Sequence, residues 1–169
     1  VQQLEIGDPY LEADQVTAQD VLKLISGRAH ELVEEQYTVL NDTLMPELAE
    51  AGIEVLPRSM WTAEHNSWLK SYFQEEVMPI LSPIGLDSAH PFPRLLNKSL
   101  NFIVSLEGRD AFGRDRGYAI LQAPRALPRV ITLPPELVPE GKHHFVFLSS
   151  IIHAFSEDLF FGMEVRGCY

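Results

Sequence analysis

Along the first third of the chain, apolar residues recur among polar residues with the period of an α-helix. The motif Thr17-Ala18-Gln19-Asp20 predicts a helix start, because the Thr17 hydroxyl can accept a hydrogen bond from a free backbone amide and Asp20 favours the positive helix end. Apolar side chains then recur at three- and four-residue spacing, which gathers them on one helix face. They are Val21, Leu24, Ile25, Ala29, Leu32, Val33, Tyr37, Leu40 and Leu44. We expect Pro46 to kink or restart this helix and Gly52 to end it.

A second helix is predicted after Thr62, which is a suitable N-cap, and it is expected to stop before Pro79. Its apolar residues at helical spacing are Trp68, Leu69, Tyr72, Phe73 and Val77. Three of these, with Trp61, form an aromatic cluster that we interpret as core packing, because each ring buries a large apolar area. Base stacking or sugar binding is the alternative. Two apolar stripes need a further partner, which is either missing upstream or supplied by the rest of the protein, so we expect an incomplete three-helix-bundle-like domain that is truncated at its start.

After the second helix, the pattern changes to short runs rich in branched and aromatic residues, which are typical of β-strands. We predict four strands, at residues 100–106, 118–123, 129–133 and 144–148. The first two flank a charged, glycine-bearing stretch at 108–117 that suits a hairpin tip, so they should pair antiparallel. A short helix capped by Ser149 or Ser150 follows, and Met163 is expected to begin another strand. The proline-rich segment 81–93 is predicted to be a structured connector.

Charge divides the chain into two parts. Residues 1–80 hold 15 acidic and four basic residues, whereas residues 81–169 hold nine of each. The shift predicts a domain boundary near Pro79 to Pro83, with a helical domain at 1–80 and a mixed, mainly antiparallel domain at 81–169, each expected to be incomplete at its outer end. The fold class is therefore α+β. The acidic first part should repel nucleic acid, polyphosphate and anionic membranes.

Patterns that carry chemistry are missing from the sequence. It has no P-loop, no dinucleotide-binding glycine motif and no Gly-x-Ser-x-Gly elbow. The arginines of the 108–117 stretch are offset by aspartates, which favours a solvated turn, with a partner contact as the alternative. His143 and His144 should point to opposite faces of a strand and are poor joint metal ligands. We therefore predict no catalytic, cofactor-binding or metal-binding residue, and we expect Cys168 to serve in packing.

Several segments resemble polyphosphate kinases. Residues 68–83, Trp-Leu-Lys-Ser-Tyr-Phe-Gln-Glu-Glu-Val-Met-Pro-Ile-Leu-Ser-Pro, lead into His90-Pro91-Phe92-Pro93 and Asn97-Lys98-Ser99-Leu100-Asn101. This order is similar to the family's entry into its middle, or head, domain. Further matches in the expected order are residues 30–37 and 44–53, similar to the long helix of the N-terminal domain and its exit, and residues 128–134 and 160–165. The resemblance covers nearly everything from Arg28 onward.

The resemblance implies a parent enzyme that transfers the terminal phosphate of ATP reversibly to polyphosphate. The family uses magnesium and a phosphohistidine held in two later catalytic domains, which have no match here. Its adenine-contacting Ser-Asn-Leu-Asp-Glu motif is also missing, so no ATP-binding residue is assigned. The chain is then expected to be inactive alone. Its implied partners are the remaining catalytic domains, ATP and polyphosphate, and a second subunit bound through the head domain, but no nucleic acid.

The candidate site residues are His90, Pro91, Phe92, Pro93, Asn97 and Asn101. Our interpretation is structural: the prolines fix the crossing from helices to sheet, and the asparagines bond nearby backbone. Shaping a tunnel for polyphosphate is the alternative. A free-standing, dimerising interaction module and an unrelated ligand-binding domain are the competing functions. With no signal peptide and no apolar run of 18 residues, we expect a cytoplasmic location, or peripheral membrane association of the parent enzyme.

Overall fold

The computed structural model describes residues 17–86, 91–108 and 116–169. It separates into two compact units, Val1–Ala51 and Gly52–Tyr169. This division lies earlier than the boundary that charge indicates near Pro79 to Pro83, because the second predicted helix contributes its apolar face to the core of unit 2. The predicted α+β class is confirmed: a helical part is followed by a part that combines helices with mainly antiparallel sheets.

Unit 1 is helical throughout its described residues. Helix α1 spans Ala18–Val39, and Thr17 and Asp20 form the expected reciprocal cap, in which each residue accepts a hydrogen bond from the backbone amide of the other. A π-helical turn at Leu40–Leu44 leads into α2, Met45–Glu50, whose first turn contains Pro46. The predicted restart at Pro46 is confirmed, since a proline has no amide to continue the regular ladder. No described helix is both long enough and apolar enough to cross a membrane.

Unit 2 holds two sheets. Sheet A has the strand order β1-β6-β5, and sheet B has the order β2-β4-β3-β7. The strands are β1 Ile53–Val55, β2 Ile84–Leu86, β3 Asn101–Glu107, β4 Arg116–Gln122, β5 Val130–Thr132, β6 His143–Phe147 and β7 Glu164–Cys168. Helix α3, Ala63–Tyr72, continues as a π-helical turn at Phe73–Val77, and helix α4 spans Leu148–Phe155. Short 3-10 turns lie at Arg58–Met60, Met78–Ile80, Pro135–Leu137 and Ser156–Leu159.

Strand pairing confirms the predicted antiparallel neighbours. Strands β3 and β4 pair along their full length, from Asn101 opposite Gln122 to Glu107 opposite Arg116. The hairpin tip predicted between them lies largely outside the described residues. The last strand, expected from Met163, is β7, which pairs antiparallel with β3. Two strands of three residues each, β1 and β2, were not predicted, and β2 lies in the segment interpreted as a connector.

The starts of the two helices in unit 2 differ. Thr62 caps α3 as predicted, and His65 completes the cap, because its Nδ1 accepts from the Thr62 amide while its Nε2 donates to the Leu137 carbonyl at 3.0 Å. The predicted serine cap of α4 is wrong. The helix begins at Leu148, directly after β6, and the Leu148 amide donates to the carbonyl of Arg129. A side-chain cap is unnecessary where a neighbouring segment accepts that bond.

The core of unit 2 lies between the two sheets and helices α3 and α4. Phe73 is fully buried and its ring centroid lies 5.8 Å from that of Phe155, which also stacks on Trp61 at 6.4 Å. Trp68 and Tyr72 stack on each other at 5.5 Å and pack against this core. The aromatic cluster is therefore packing, as predicted. Other buried members include Leu56, Leu69, Val77, Leu81, Phe102, Val104, Leu106, Leu121, Ile131, Val146, Ile151 and Ile152.

Candidate functional site

The candidate loop connects β2 to β3 at the surface of unit 2. His90 lies outside the described residues, so its predicted role stays a prediction. Pro91 and Phe92 are exposed and Pro93 is half-buried. The Phe92 side chain has 65% of its surface accessible, so the described residues leave most of the ring uncovered. A large apolar group at that position is available for contact with another surface.

Asn97 and Lys98 form a turn that is bonded to itself. The Oδ1 atom of Asn97 accepts from the Lys98 amide at 2.9 Å, and the Ser99 hydroxyl donates to the Leu96 carbonyl at 2.5 Å. Lys98 has a φ of 54°, in the left-handed region that side chains adopt at some cost. Local side-chain bonds of this kind stabilise a turn without a regular ladder, so the turn presents Lys98 on a defined backbone.

Asn101 fixes the start of β3. Its Nδ2 donates to the carbonyl and to the hydroxyl of Ser99, both at 3.0 Å. Its Oδ1 is buried and has no hydrogen-bond partner within the described part of the chain. A buried acceptor without a partner costs free energy. Asn97 and Asn101 are therefore both bonded to nearby residues, and the choice between a structural and a tunnel-lining role stays a prediction.

Arg125 joins this loop from the segment after β4, and sequence reasoning missed it. One guanidinium nitrogen of Arg125 donates to the Asn97 carbonyl at 3.1 Å, while the Ala123 amide donates to the Leu100 carbonyl at 2.9 Å. The structure thus brings together Asn97, Lys98 and Arg125. The sequence around Lys98 and the sequence around Arg125 both lack carboxylates, and this shared feature is the signal that could have indicated their contact.

A second polar cluster lies where β1 pairs with β6. Lys142 Nζ contacts Glu54 Oε1 at 2.6 Å, and Nε2 of His144 lies 3.9 Å from Glu54 Oε2. The hydrogen bond from Lys142 is the main cause that lowers the pKa of Glu54, with burial opposing it and the charges of Lys142 and His144 adding to it. Both ring nitrogens of buried His144 lack hydrogen-bond partners among the described residues. His143 is exposed, so the two histidines do face opposite sides as predicted.

A surface cleft of about 360 Å³ lies beside α3, lined by Lys70, Gln74, Met78, Asp158 and Phe161. The positive charge of Lys70 in this cleft is offset by the carboxylate of Asp158, which lies 3.6 Å away and also accepts a hydrogen bond from Gln74. A phosphate would meet a carboxylate there, which makes the cleft unsuitable for a nucleotide tail. Within the described ranges, no three histidine, cysteine, aspartate or glutamate side chains are grouped to hold a metal ion.

A helical unit is followed by an α+β unit that holds two sheets and a loop bonded to nearby backbone, so the fold belongs to the α+β class. Comparison with known families identifies the family. Residues 1–56 match the polyphosphate kinase N-terminal domain, and residues 64–169, more than half of the chain, match the polyphosphate kinase middle domain. The chain therefore belongs to the polyphosphate kinase family.

Individual relatives agree with this assignment. The chain is 54% identical over 157 residues to a polyphosphate kinase of Pseudomonas aeruginosa, covering 93% of this chain and 23% of that protein. It is 55% identical over 145 residues to a polyphosphate kinase of Neisseria meningitidis, covering 86% and 21%. The crystal structure of polyphosphate kinase from Porphyromonas gingivalis superimposes with a TM-score of 0.71 at 28% identity, covering 89% and 24%. The chain thus spans less than a quarter of each relative's length.

Proposed function

We propose that this chain is a non-catalytic N-terminal and head-domain part of a polyphosphate kinase. The parent enzyme would transfer the terminal phosphate of ATP reversibly to polyphosphate and would use magnesium, and no residue of this chain is assigned to ATP or to the metal. The family assignment of both domains carries this proposal. The acidic first 80 residues support it, since phosphoryl transfer requires concentrated positive charge around the reacting phosphates.

We assign the loop that contains Pro91, Phe92, Pro93, Asn97 and Asn101 a scaffold role at the entry to the head domain. The bonds of Asn97 and Asn101 to neighbouring residues favour this role over lining a polyphosphate tunnel. His90 is included on the basis of sequence alone. In this proposal, Phe92 contacts another part of the parent enzyme, because its ring is exposed on a proline-flanked segment.

The second candidate function is a dimerising interaction module without enzymatic activity. Exposed Ile103 and Tyr118 on adjacent strands of sheet B favour a protein contact through unit 2. The same surface would serve a polyphosphate kinase that assembles through its head domain, so dimerisation alone does not separate the two functions. A cytoplasmic location belongs to both proposals.

A chimaera separates the two functions. We would replace the matching region of the Pseudomonas aeruginosa polyphosphate kinase with this chain, which is 54% identical to it. The chimaera is expected to synthesise polyphosphate from ATP, and the isolated chain is expected to show no synthesis. A folded chimaera without activity would refute the supporting role, whereas synthesis by the isolated chain would reveal a catalytic site within it.

The loop assignment is tested in the same chimaera. Asn97→Ala removes the side-chain bond to the Lys98 amide, so a scaffold role predicts lower thermal stability together with lower activity. Ser26→Ala, at an exposed position of α1, is the control and should change neither. Loss of activity at unchanged stability and oligomeric state would contradict the scaffold role and favour the tunnel.

A further inference from the structure

The segments on either side of the β3–β4 pair contain cations but no carboxylates. No aspartate or glutamate occurs in residues 88–106 or in residues 116–135. The same stretches include Arg94, Lys98, Arg125 and Arg129, all exposed. In a chain with a net charge of -11, such a concentration of one sign defines a local electrostatic feature.

We call these four residues the basic loop surface, and the fold brings the two segments that carry them into contact at one point. The hydrogen bond from Arg125 to the Asn97 carbonyl places Arg125 next to the turn that carries Lys98. Arg94 is three residues from Asn97, and Arg129 is four residues from Arg125. Fully extended, those connections span at most about 11 and 14 Å between Cα atoms. The Cα atoms of Arg94 and Arg129 therefore lie within about 11 Å of Asn97 and about 14 Å of Arg125, respectively.

The cations of the basic loop surface differ in their ion pairing from other cations of the described residues. Elsewhere, Arg28, Lys70, Lys142 and Arg166 each contact a carboxylate. Within the described residues, no member of the basic loop surface makes an ion pair. The segment beside Arg129 adds no negative charge, because the Leu148 amide bonds the Arg129 carbonyl and residues 141–156 contain no acid.

We propose that the basic loop surface binds a polyphosphate chain on the head domain. This proposal rests on the proposed function, which supplies polyphosphate as the polyanion of the parent enzyme. Exposed cations bind such a chain by releasing its counterions, and a guanidinium can bond two phosphate oxygens at once. At physiological ionic strength, charges are screened over about 8 Å, so a local cluster of cations can attract a polyanion although the net charge of the chain is negative. The four cations would hold the polymer on the surface and take no part in phosphoryl transfer, while the side chains of Asn97 and Asn101 keep their scaffold role within the loop.

Binding of long-chain inorganic polyphosphate to the full 169-residue chain tests the proposal. We would measure affinity by competition with a fluorescent polyphosphate over a series of salt concentrations. Each exposed charge contact contributes up to about fivefold in affinity, so Lys98→Gln with Arg125→Gln should weaken binding about tenfold. The slope of log affinity against log salt should fall by about 0.7 for each cation removed.

Matched variants separate the charge effect from damage to the loop. Lys23→Gln with Arg58→Gln removes the same net charge from two exposed cations outside the surface and should leave affinity within about twofold. Lys98→Gln alone leaves the Arg125 bond in place and should still weaken binding. Equal effects of the two double variants, or no polyphosphate binding at all, would overturn the proposal. Tighter binding of a single-stranded oligonucleotide of equal charge would overturn the assignment to polyphosphate.

The outcome is independent of the test of the proposed function. If the chimaera is active and Lys98→Gln with Arg125→Gln changes neither its activity nor its affinity for polyphosphate, the proposed binding surface is refuted. The proposed role within the family then still stands. An inactive chimaera with a surface that still binds polyphosphate would refute the supporting role and leave the surface intact.

Discussion

Helix α1 and helix α3 show how differently two amphipathic helices of one chain are used. Both begin at a threonine cap and both carry apolar residues at helical spacing. In α1 no residue is buried, and Leu24 is 70% exposed, whereas Leu69 of α3 is completely buried. The comparison teaches that the apolar period determines the helix and its face but not what covers that face.

The largest expected difference between the two units is in the cost of removing an aromatic ring. Phe73→Ala should lower the free energy of unfolding of unit 2 by about 3 to 5 kcal/mol, because the ring is fully buried against Phe155. Tyr37→Ala, which removes an exposed ring from α1, should change it by less than about 0.5 kcal/mol. Urea unfolding followed by tryptophan fluorescence checks this, since both tryptophans, Trp61 and Trp68, lie in unit 2.

Equal effects of the two substitutions would contradict the claim that the apolar face is covered in α3 and uncovered in α1. A large cost for Tyr37→Ala would mean that α1 is covered in solution by a surface that buries its apolar face. Far-UV circular dichroism recorded with the fluorescence would locate that effect, because α1 contributes 22 helical residues but no tryptophan.

A smaller difference is expected between the two helix caps. Thr62→Ala should lower the fluorescence-detected stability by about 1 kcal/mol, because it removes the acceptor for the His65 amide in a helix that belongs to the core. Thr17→Ala should reduce the helical circular dichroism signal and leave the fluorescence midpoint unchanged. Isolated helices are marginal in water, so a lost cap in α1 shortens a helix that has little packing to hold it.

Serine at either position is the conservative control. Thr17→Ser and Thr62→Ser keep a hydroxyl acceptor and should retain most of the signal that alanine loses. If Thr17→Ala shifted the fluorescence midpoint as much as Thr62→Ala, the two units would unfold as one, contrary to the comparison.

The caps also mark the limit of what the sequence could predict. Both helix starts depend on residues three positions apart, so local sequence was sufficient to find them. Strand β1 could not be found, because three residues carry no measurable period and their pairing with β6 involves residues some 90 positions away. The start of α4 was misplaced because the Arg129 carbonyl, a distant acceptor, replaces a side-chain cap.

In the candidate loop too, the local contacts could be predicted from the sequence and the long-range contact could not. Asn97 and Asn101 were selected from the sequence, and their partners lie within two residues of them. Arg125 was missed because its bond to Asn97 spans 28 residues, and only the folded chain brings β4's exit beside that turn. The sequence alone shows that the segments around Lys98 and Arg125 lack acidic residues. Only the folded structure shows that the two segments are in contact and so contribute to one basic surface.

The smallest expected effect is a dependence on pH that is specific to unit 2. The pKa of Glu54 is lowered from 4.5, chiefly by the hydrogen bond from Lys142, with His144 also nearby. The ionised carboxylate therefore stabilises the fold above pH 4.5, and this contribution is lost as the pH falls through the lower folded-state pKa. Lys142→Gln should lower the free energy of unfolding by less than about 1 kcal/mol at pH 7, and this difference from the unmodified chain should shrink below pH 4.5.

Arg28→Gln, which breaks an exposed pair with Glu31 in α1, should leave the fluorescence-detected profile unchanged. A Lys142→Gln profile parallel to that of the unmodified chain at every pH would mean that Lys142 is not what holds the Glu54 carboxylate ionised.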